Sequence, residues 1–190
     1  MFPAPIYEVA AAFKYVRKNS EEWQIDPNRI TLVGFSAGGH LSAVYNGVWH
    51  QSWLSEKLGV GSALLQPNAT VLCYPVINFE LGWPYNKQYA ECITTSLDFQ
   101  QADQLVNEHN SPTFIWHTVT DKTVPIMNSL VYYEALVKKY ISCEAHFYHK
   151  GNHGLSLADQ ITAGELTNEY LNKHVASWLS LCLEWLAENF

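Results

Sequence analysis

A serine flanked by glycines stands where an apolar run gives way to a run of small residues. Residues 34–38 read Gly-Phe-Ser-Ala-Gly, the pattern G-x-S-x-G. When a strand turns sharply into a helix at this pattern, the serine oxygen is exposed at the turn. Glycines have no side chain to clash there, so we expect the turn to need Gly34 and Gly38. The pattern indicates a nucleophile, Ser36, and an oxyanion donor, the backbone N–H of Ala37.

A serine hydroxyl attacks a carbonyl only when a base accepts its proton, so Ser36 requires a histidine and a carboxylate that orients it. At this kind of turn the chain order is serine, acid, histidine. Asp121 follows an apolar run at 113–119, and His153 lies between glycines after another run. Catalytic groups of parallel sheets collect at the carboxyl ends of the strands. We therefore predict that Ser36, Asp121 and His153 meet there.

Other residues compete for these roles. Asp121 is also suited to cap the helix that follows it. His149 is the second choice for the base, because it lies directly after a predicted strand. Asp98 and Asp103 are rival acids, but they precede the third strand instead of following it. The remaining histidines named here are expected to be structural or at the surface: His40, His117, His146, His109 and His174.

The elements that position these residues follow from apolar spacing. Four strands are predicted, at 30–35, 70–76, 113–119 and 143–148. Helices are predicted at 3–19, 37–49 and 125–139, with another in the later half of the irregular segment 79–110. A last helix is predicted to bury one face: Leu171, Val175, Trp178, Leu179, Cys182, Trp185 and Leu186. Strands alternating with helices predict an α/β fold, with a mostly parallel sheet flanked by helices.

Length and composition narrow the class of protein. The chain of 190 residues predicts one domain, and 48% hydrophobic against 15% charged residues excludes a disordered chain. A net charge of −7 argues against nucleic-acid binding, which needs a basic surface. No run approaches the roughly 18 apolar residues of a membrane span. With no signal peptide visible, and with Cys73, Cys143 and Cys182 expected as buried free thiols, we predict a cytoplasmic protein.

These motifs in series resemble those of α/β-hydrolase fold serine esterases and lipases, in particular acetyl-xylan-esterase-like and hormone-sensitive-lipase-like bacterial esterases. The segments that carry the resemblance extend over nearly the whole chain: Phe-Pro-Ala-Pro at 2–5, Asp-Pro-Asn-Arg-Ile at 26–30, Gly-Phe-Ser-Ala-Gly-Gly-His-Leu at 34–41, Tyr-Pro-Val at 74–76, Trp-His-Thr at 116–118, Asp-Lys-Thr-Val-Pro at 121–125 and Gly-Asn-His-Gly-Leu at 151–155. The resemblance implies a carboxylesterase with Ser36 as nucleophile, Asp121 as acid and His153 as base. Its substrates would be small short-acyl esters such as acetylated sugars. The chemistry needs no metal or organic cofactor.

One family motif is absent. The family has a His-Gly-Gly loop whose backbone N–H groups complete the oxyanion hole, and no His-Gly-Gly occurs in residues 1–190. The resemblance implies that 1–190 is a single catalytic domain shortened at its amino terminus. The strand at 30–35, central in the family, would become an edge that invites pairing with another chain or aggregation, and a homo-oligomer is the partner that this edge predicts. Loss of an oxyanion donor costs roughly 10²–10³ in turnover.

Two other interpretations stay open. A serine peptidase of the prolyl-oligopeptidase type shares the serine turn and a similar Asp-x-x-Val-Pro segment. An inert fragment that keeps the three residues without activity is the third interpretation. The aromatic stretch Trp83-Pro84-Tyr85 suits either stacking on a sugar ring or packing in a lid or core.

Overall fold

Four parallel strands form one sheet in the computed structural model of this chain, which describes residues 2–165 and 167–190. The strands follow one another across the sheet in the order β1-β2-β3-β4. Their bounds are Thr31–Phe35 for β1, Ala69–Cys73 for β2, Thr113–Thr118 for β3 and Cys143–Tyr148 for β4. The predicted parallel α/β sheet is confirmed. Strand β2 ends before the predicted residue 76, because Tyr74 turns the chain at φ 38°.

Helices pack on both faces of the sheet. Their bounds are Ala4–Lys18 for α1, Ala37–Val48 for α2, Ser52–Leu58 for α3, Lys87–Ile93 for α4, Met127–Lys138 for α5, Gln160–Ala163 for α6, Thr167–Tyr170 for α7, Lys173–Ala176 for α8 and Trp178–Asn189 for α9. Neighbouring residues of a strand point to opposite faces. Leu72 and Ile115 are therefore buried in a cluster with α1, α2 and α5, while Phe114 and Trp116 are buried in another with α9.

The last helix differs from its prediction at two positions. The chain forms a short α8, which the Asn172 side chain caps by accepting from the N–H groups of the next turn, and α9 begins only at Trp178. Leu171 precedes this cap and is exposed. Leu179 lies one residue beyond Trp178, at the flank of the buried face, and is also exposed. The other predicted face residues lie in the core that covers the sheet.

The segment 79–110 contains its helix in an earlier place than predicted. Helix α4 occupies Lys87–Ile93, and the later half forms two 3₁₀ turns, at Asp98–Gln100 and Ala102–Leu105. Side chains in the later half bond to nearby backbone: Asn107 accepts from His109 N and Asn110 accepts from Asn107 N. Such local bonds compete with helical backbone bonds, which explains why the predicted helix does not form.

Strand β1 is an edge of the sheet. Within the described ranges it pairs with β2 alone. Val33, in the middle of β1, is 48% exposed, which is unusual for a valine at the centre of a parallel-sheet strand. The expectation that the strand before Ser36 is an edge is confirmed.

The described cysteines are free thiols. Cys73 and Cys182 are buried as predicted, Cys143 is half-buried, and Cys92 is exposed. Burial raises the pKa of the Cys182 thiol to about 11, so it stays protonated at neutral pH. Among the helices of the described ranges, none combines the length and apolar character needed to cross a membrane.

Candidate active site

Ser36 occupies the turn between β1 and α2, with a positive φ of 53° and ψ of −118°. A residue other than glycine is strained there and needs surrounding bonds to hold it. The Ser36 N–H donates to the Cys73 carbonyl at 3.0 Å, and the Ser36 carbonyl accepts from the N–H groups of Val76 at 3.1 Å and His40 at 3.2 Å. These bonds join the turn to the end of β2 and to α2. They hold Ser36 at the carboxyl edge of the sheet.

The glycines around Ser36 have different roles. A Cβ on Gly34 would lie 2.4 Å from both the Gly38 carbonyl oxygen and Ser42 Oγ, so this position requires glycine. Apart from its chain neighbours and the backbone of its own helix, a Cβ on Gly38 would meet no heavy atom within 4 Å in the described part of the chain. The prediction that Gly38 avoids a clash is therefore wrong. The second close approach is at Gly39, where a Cβ would lie 2.7 Å from Pro75 Cβ.

His153 lies in the loop after β4, and its Nε2 accepts a hydrogen bond from Ser36 Oγ at 2.7 Å. The flanking glycines shape this loop. A Cβ on Gly151 would come within 2.7 Å of Thr118 Cγ2, and Gly154 has a φ of 82°. Glycine tolerates both the close approach and the positive φ, so the loop can place the imidazole over the end of the sheet.

Asp121 follows β3 and has a fully buried side chain. Its Oδ2 accepts from His153 Nδ1–H at 2.7 Å, and its Oδ1 accepts from the N–H groups of Thr123 and Val124, each at 2.9 Å. Asp121 does cap a turn, but it does not cap the next helix, because α5 begins only at Met127. The structure thus brings the three predicted residues into one hydrogen-bonded chain.

Sequence reasoning assigned His117 to the interior of β3 and missed its contact with the acid. The His117 side chain is fully buried, and its Nε2 lies 3.3 Å from Asp121 Oδ2. Burial alone would raise the pKa of Asp121, but hydrogen bonds from His117, His153 and the Val124 N–H hold it well below its usual range. The one trace of this contact in the sequence is that His117 and Asp121 are four residues apart. The period-two alternation of a strand does not predict a contact at that separation.

The competing residues make their bonds elsewhere or face solvent. His149 and Asp98 are exposed. Asp103 accepts from Asn78 Nδ2 at 3.1 Å. His40 is buried on α2, and its Nε2–H donates to the Phe99 carbonyl at 2.7 Å. Burial lowers the pKa of His40 to about 4, so this imidazole is neutral at pH 7.

Ala37 is exposed and is the first residue of α2. The first backbone N–H groups of a helix have no partner within that helix, and the helix dipole favours negative charge near them. The Ala37 N–H is therefore suited to donate to an oxyanion formed at Ser36.

An aromatic cavity lies beside the loop that carries Asp121. It has a volume of about 440 Å³ and is lined by Trp83, Pro84, Tyr85, Tyr89, Cys92 and Ile93. The Tyr85 hydroxyl lies 2.8 Å from the Lys122 carbonyl oxygen and 2.9 Å from that of Thr123. One aromatic wall of the cavity is therefore attached to the residues that follow Asp121.

The chain is similar in sequence and fold to known esterases and hydrolases. The carboxylesterase Cest-2923 from Lactobacillus plantarum WCFS1 is 35% identical, with a TM-score of 0.92 over 98% of this chain and 68% of that one. An acetyl ester-xyloside bifunctional hydrolase from Caldicellulosiruptor lactoaceticus is 31% identical, with a TM-score of 0.78 over 99% of this chain and 66% of that one.

An acetylxylan esterase from Xylanibacter ruminicola is 26% identical over 162 residues, which are 79% of this chain but only 31% of that protein. The chain thus spans about two thirds of its solved relatives and under a third of this longer esterase. The BD-FAE family model matches residues 1–136. The sheet and its flanking helices have the α/β-hydrolase fold, and the chain belongs to the BD-FAE family.

Proposed function

We propose that this chain carries the nucleophile, base and acid of a serine esterase that hydrolyses short-acyl carboxylic esters. The observation that supports this most is the continuous hydrogen-bonded chain from Ser36 Oγ through His153 to Asp121, with 2.7 Å at each step. A serine, an imidazole and a buried carboxylate in this order can activate a hydroxyl for attack on a carbonyl.

In the first half-reaction, Ser36 Oγ attacks the ester carbonyl carbon while His153 Nε2 takes the hydroxyl proton. The carbonyl oxygen becomes an oxyanion that accepts from the Ala37 N–H. When this intermediate collapses, the bond from the carbonyl carbon to the alcohol oxygen breaks, and His153 returns the proton to the departing alcohol. The product is an acyl ester on Ser36.

In the second half-reaction, a water molecule attacks the acyl carbon while His153 takes one of its protons. Collapse of the second oxyanion breaks the bond to Ser36 Oγ, which regains its proton from His153 and releases the carboxylic acid. Asp121 stays ionised throughout and stabilises the imidazolium of each step. Its depressed pKa keeps it in that form.

We propose acetylated sugars as the substrate class within this reaction. Two observations support it. The relatives include an acetylxylan esterase and an acetyl ester-xyloside hydrolase. The aromatic cavity offers exposed rings at Tyr85 and Tyr89, next to the loop of Asp121. Flat aromatic faces with a few polar groups are typical of small-molecule sites.

The complete catalytic unit, we propose, is larger than residues 1–190. The chain spans 68% of the Lactobacillus plantarum carboxylesterase, and β1 is an edge with a half-exposed Val33. Within the described ranges we identify one donor for the oxyanion, the Ala37 N–H, whereas α/β hydrolases use two backbone N–H groups. A further segment would cover the edge and provide the second donor.

We also assign the protein to the cytoplasm, a proposal supported by its free cysteines, since reducing compartments keep thiols unpaired. Alkylation of protein purified without reductant should modify all four thiols after denaturation. A product that carries only two alkyl groups would reveal a disulfide and contradict the assignment.

Covalent labelling tests the proposed nucleophile. A fluorophosphonate should label the 190-residue chain at Ser36, and Ser36→Ala should abolish labelling, while Ser55→Ala on α3 should not change it. Peptide mass spectrometry identifies the modified serine. An unlabelled but folded chain would favour the inert-fragment interpretation.

Turnover tests the proposed reaction and its missing donor. The chain alone should hydrolyse p-nitrophenyl acetate slowly. Fusing to it the third of the Lactobacillus plantarum carboxylesterase that the match leaves out should raise turnover roughly 10²–10³-fold, the effect of one oxyanion donor. A full rate from the chain alone would contradict the proposal that the complete catalytic unit is larger.

Faster cleavage of a prolyl amide than of the matched ester would favour the peptidase interpretation.

A further inference from the structure

The second histidine on the acid, His117, is bonded at both ring nitrogens. Its Nδ1 lies 2.8 Å from Ser129 Oγ, and its Nε2 lies 3.0 Å from the Val124 carbonyl oxygen. The same Nε2 lies 3.3 Å from Asp121 Oδ2. The side chain is fully buried on β3, so solvent does not compete for these contacts.

These partners determine which nitrogen of His117 carries the proton. The Val124 carbonyl and the Asp121 carboxylate only accept hydrogen bonds, so Nε2 must be the N–H donor. The Ser129 hydroxyl can donate, and it therefore satisfies Nδ1 when that nitrogen is the acceptor. The Nε2–H of His117 thus donates to the Val124 carbonyl, and it lies beside the same carboxylate oxygen that His153 uses.

Asp121 therefore accepts three hydrogen bonds and lies next to a fourth N–H. Oδ1 accepts the N–H groups of Thr123 and Val124, Oδ2 accepts from His153 Nδ1–H, and the Nε2–H of His117 lies 3.3 Å from Oδ2. Every donor that shares Oδ2 reduces the negative charge left for the others. The titratable side chains that face Asp121 are His117 from β3, His153 from the loop after β4, and Tyr74 after β2.

We propose that His117 is a positioning residue that fixes the orientation of Asp121 and tunes the charge that Asp121 presents to His153. The proposal rests on the proposed esterase function, because it assigns His153 as the base. Without the second donor, the undivided charge of Oδ2 would face the His153 imidazolium. Protonated His153 would then be favoured, and the acid limb of the pH–rate profile would move to higher pH.

The test uses the 190-residue chain and the second-order rate constant of Ser36 labelling by a fluorophosphonate, measured across pH. His117→Phe removes the donor and keeps the volume of the ring. His117→Gln restores an amide N–H near the position of Nε2. Asn46→Ala is the matched control: Asn46 is a buried hydrogen-bonded residue on α2 that contacts Ser111 and Thr113 near the opposite end of β3.

For His117→Phe we expect labelling to slow roughly 10- to 100-fold, by analogy with the loss of an outer hydrogen-bond partner at a metal site, and the acid limb to move up by about half a pH unit or more. His117→Gln should recover most of both changes. The downfield proton NMR signal of the His153–Asp121 hydrogen bond should shift in the Phe variant and return in the Gln variant. Asn46→Ala should lower the melting temperature without moving the acid limb.

A folded His117→Phe with an unmoved acid limb and an unshifted proton signal would overturn the proposal, and would leave His117 as a packing residue only. If His117→Phe does not fold, Ser129→Ala decides, because it releases Nδ1 and should move the acid limb in the same direction by less. An unmoved limb there overturns the proposal too. Absence of labelling in the unmodified chain would instead contradict the proposed function.

Discussion

The two sides of the Ser36 turn differ in how completely the chain encloses them. On the acid side, the side chains of Asp121 and His117 have no exposed surface, and both carboxylate oxygens accept hydrogen bonds. On the edge side, Val33 is half-exposed and a side chain at Gly38 would meet nothing. The groups to which we assign proton transfer are thus held by residues of this chain, while the surface next to the proposed oxyanion position is open in the described structure.

The largest effect should come from breaking the closed side at its centre. Asp121→Asn keeps the shape of the acid but puts an amide where His153 requires an acceptor of full charge. We expect the labelling rate of Ser36 to fall roughly 10⁴-fold, the loss that the same change causes in a serine protease.

Asp103→Asn is the matched control. Asp103 also accepts a hydrogen bond from a side chain, that of Asn78, but it lies in the segment before β3. It should label at the unmodified rate. An equal loss in both variants would show that the acid side has no special role.

The acid side was predictable from sequence because its signals are local. Apolar runs mark the strands, and the glycines around His153 mark a loop at a strand end, so the order Ser36, Asp121, His153 could be placed on one sheet edge. The contact between His117 and Asp121 depends on the backbone conformation of the residues that follow β3. The period-two alternation of strand residues does not predict that conformation.

On the edge side the sequence was a poorer guide. Gly34 and Gly38 are equivalent in the G-x-S-x-G pattern, yet only Gly34 faces the interior of the turn. The direction of each Cβ depends on the φ and ψ angles of the turn, which residue types alone do not reveal. The same holds at Leu171, where the Asn172 cap sets the start of the helix.

His40 is buried on α2, the helix that follows Ser36, and it should make the stability of the fold depend on pH. Burial lowers the pKa of His40 from 6.5 to about 4, so the unfolded chain binds this proton more readily than the folded one. The free energy of unfolding should then fall as pH drops from 6.5 toward about 4, by up to about 3 kcal/mol from this group.

Urea denaturation at several pH values within that window measures the slope. His40→Gln retains a donor for the Phe99 carbonyl and should flatten the slope, whereas His149→Gln at the surface should leave it unchanged. A slope that persists in His40→Gln would assign the acid sensitivity to other groups.

Alanine substitutions at Gly34 and Gly38 should change the stability of the fold in opposite directions. Gly34→Ala should destabilise the fold by about 1–3 kcal/mol, because the new Cβ overlaps the Gly38 carbonyl and Ser42 Oγ. Gly38→Ala should stabilise it by up to about 1 kcal/mol, because alanine favours a helix and nothing blocks its side chain. Urea denaturation of both variants checks the difference in sign.

The fusion to the unmatched third of the Lactobacillus plantarum carboxylesterase tests whether that segment covers the space beside Gly38. If that segment covers the edge, Gly38→Ala should lose its benefit in the fused protein. An equal benefit in both contexts would show that the space beside Gly38 stays open in the larger unit.

The smallest effect on the monomer should come from the edge strand itself. Val33→Lys places a charge on an exposed edge, a common natural protection against strand pairing, and should change monomer stability by less than about 0.5 kcal/mol.

The effect of Val33→Lys should appear in self-association, because the edge of β1 is the surface through which a second copy could extend the sheet. Light scattering over a concentration series should show fewer oligomers for Val33→Lys, while Val137→Lys, at an equally exposed valine on α5, should associate like the unmodified chain. Equal association in both variants would place any contact between copies away from β1, and the open side of the turn would then be a site for substrate or a further segment but not for a second copy.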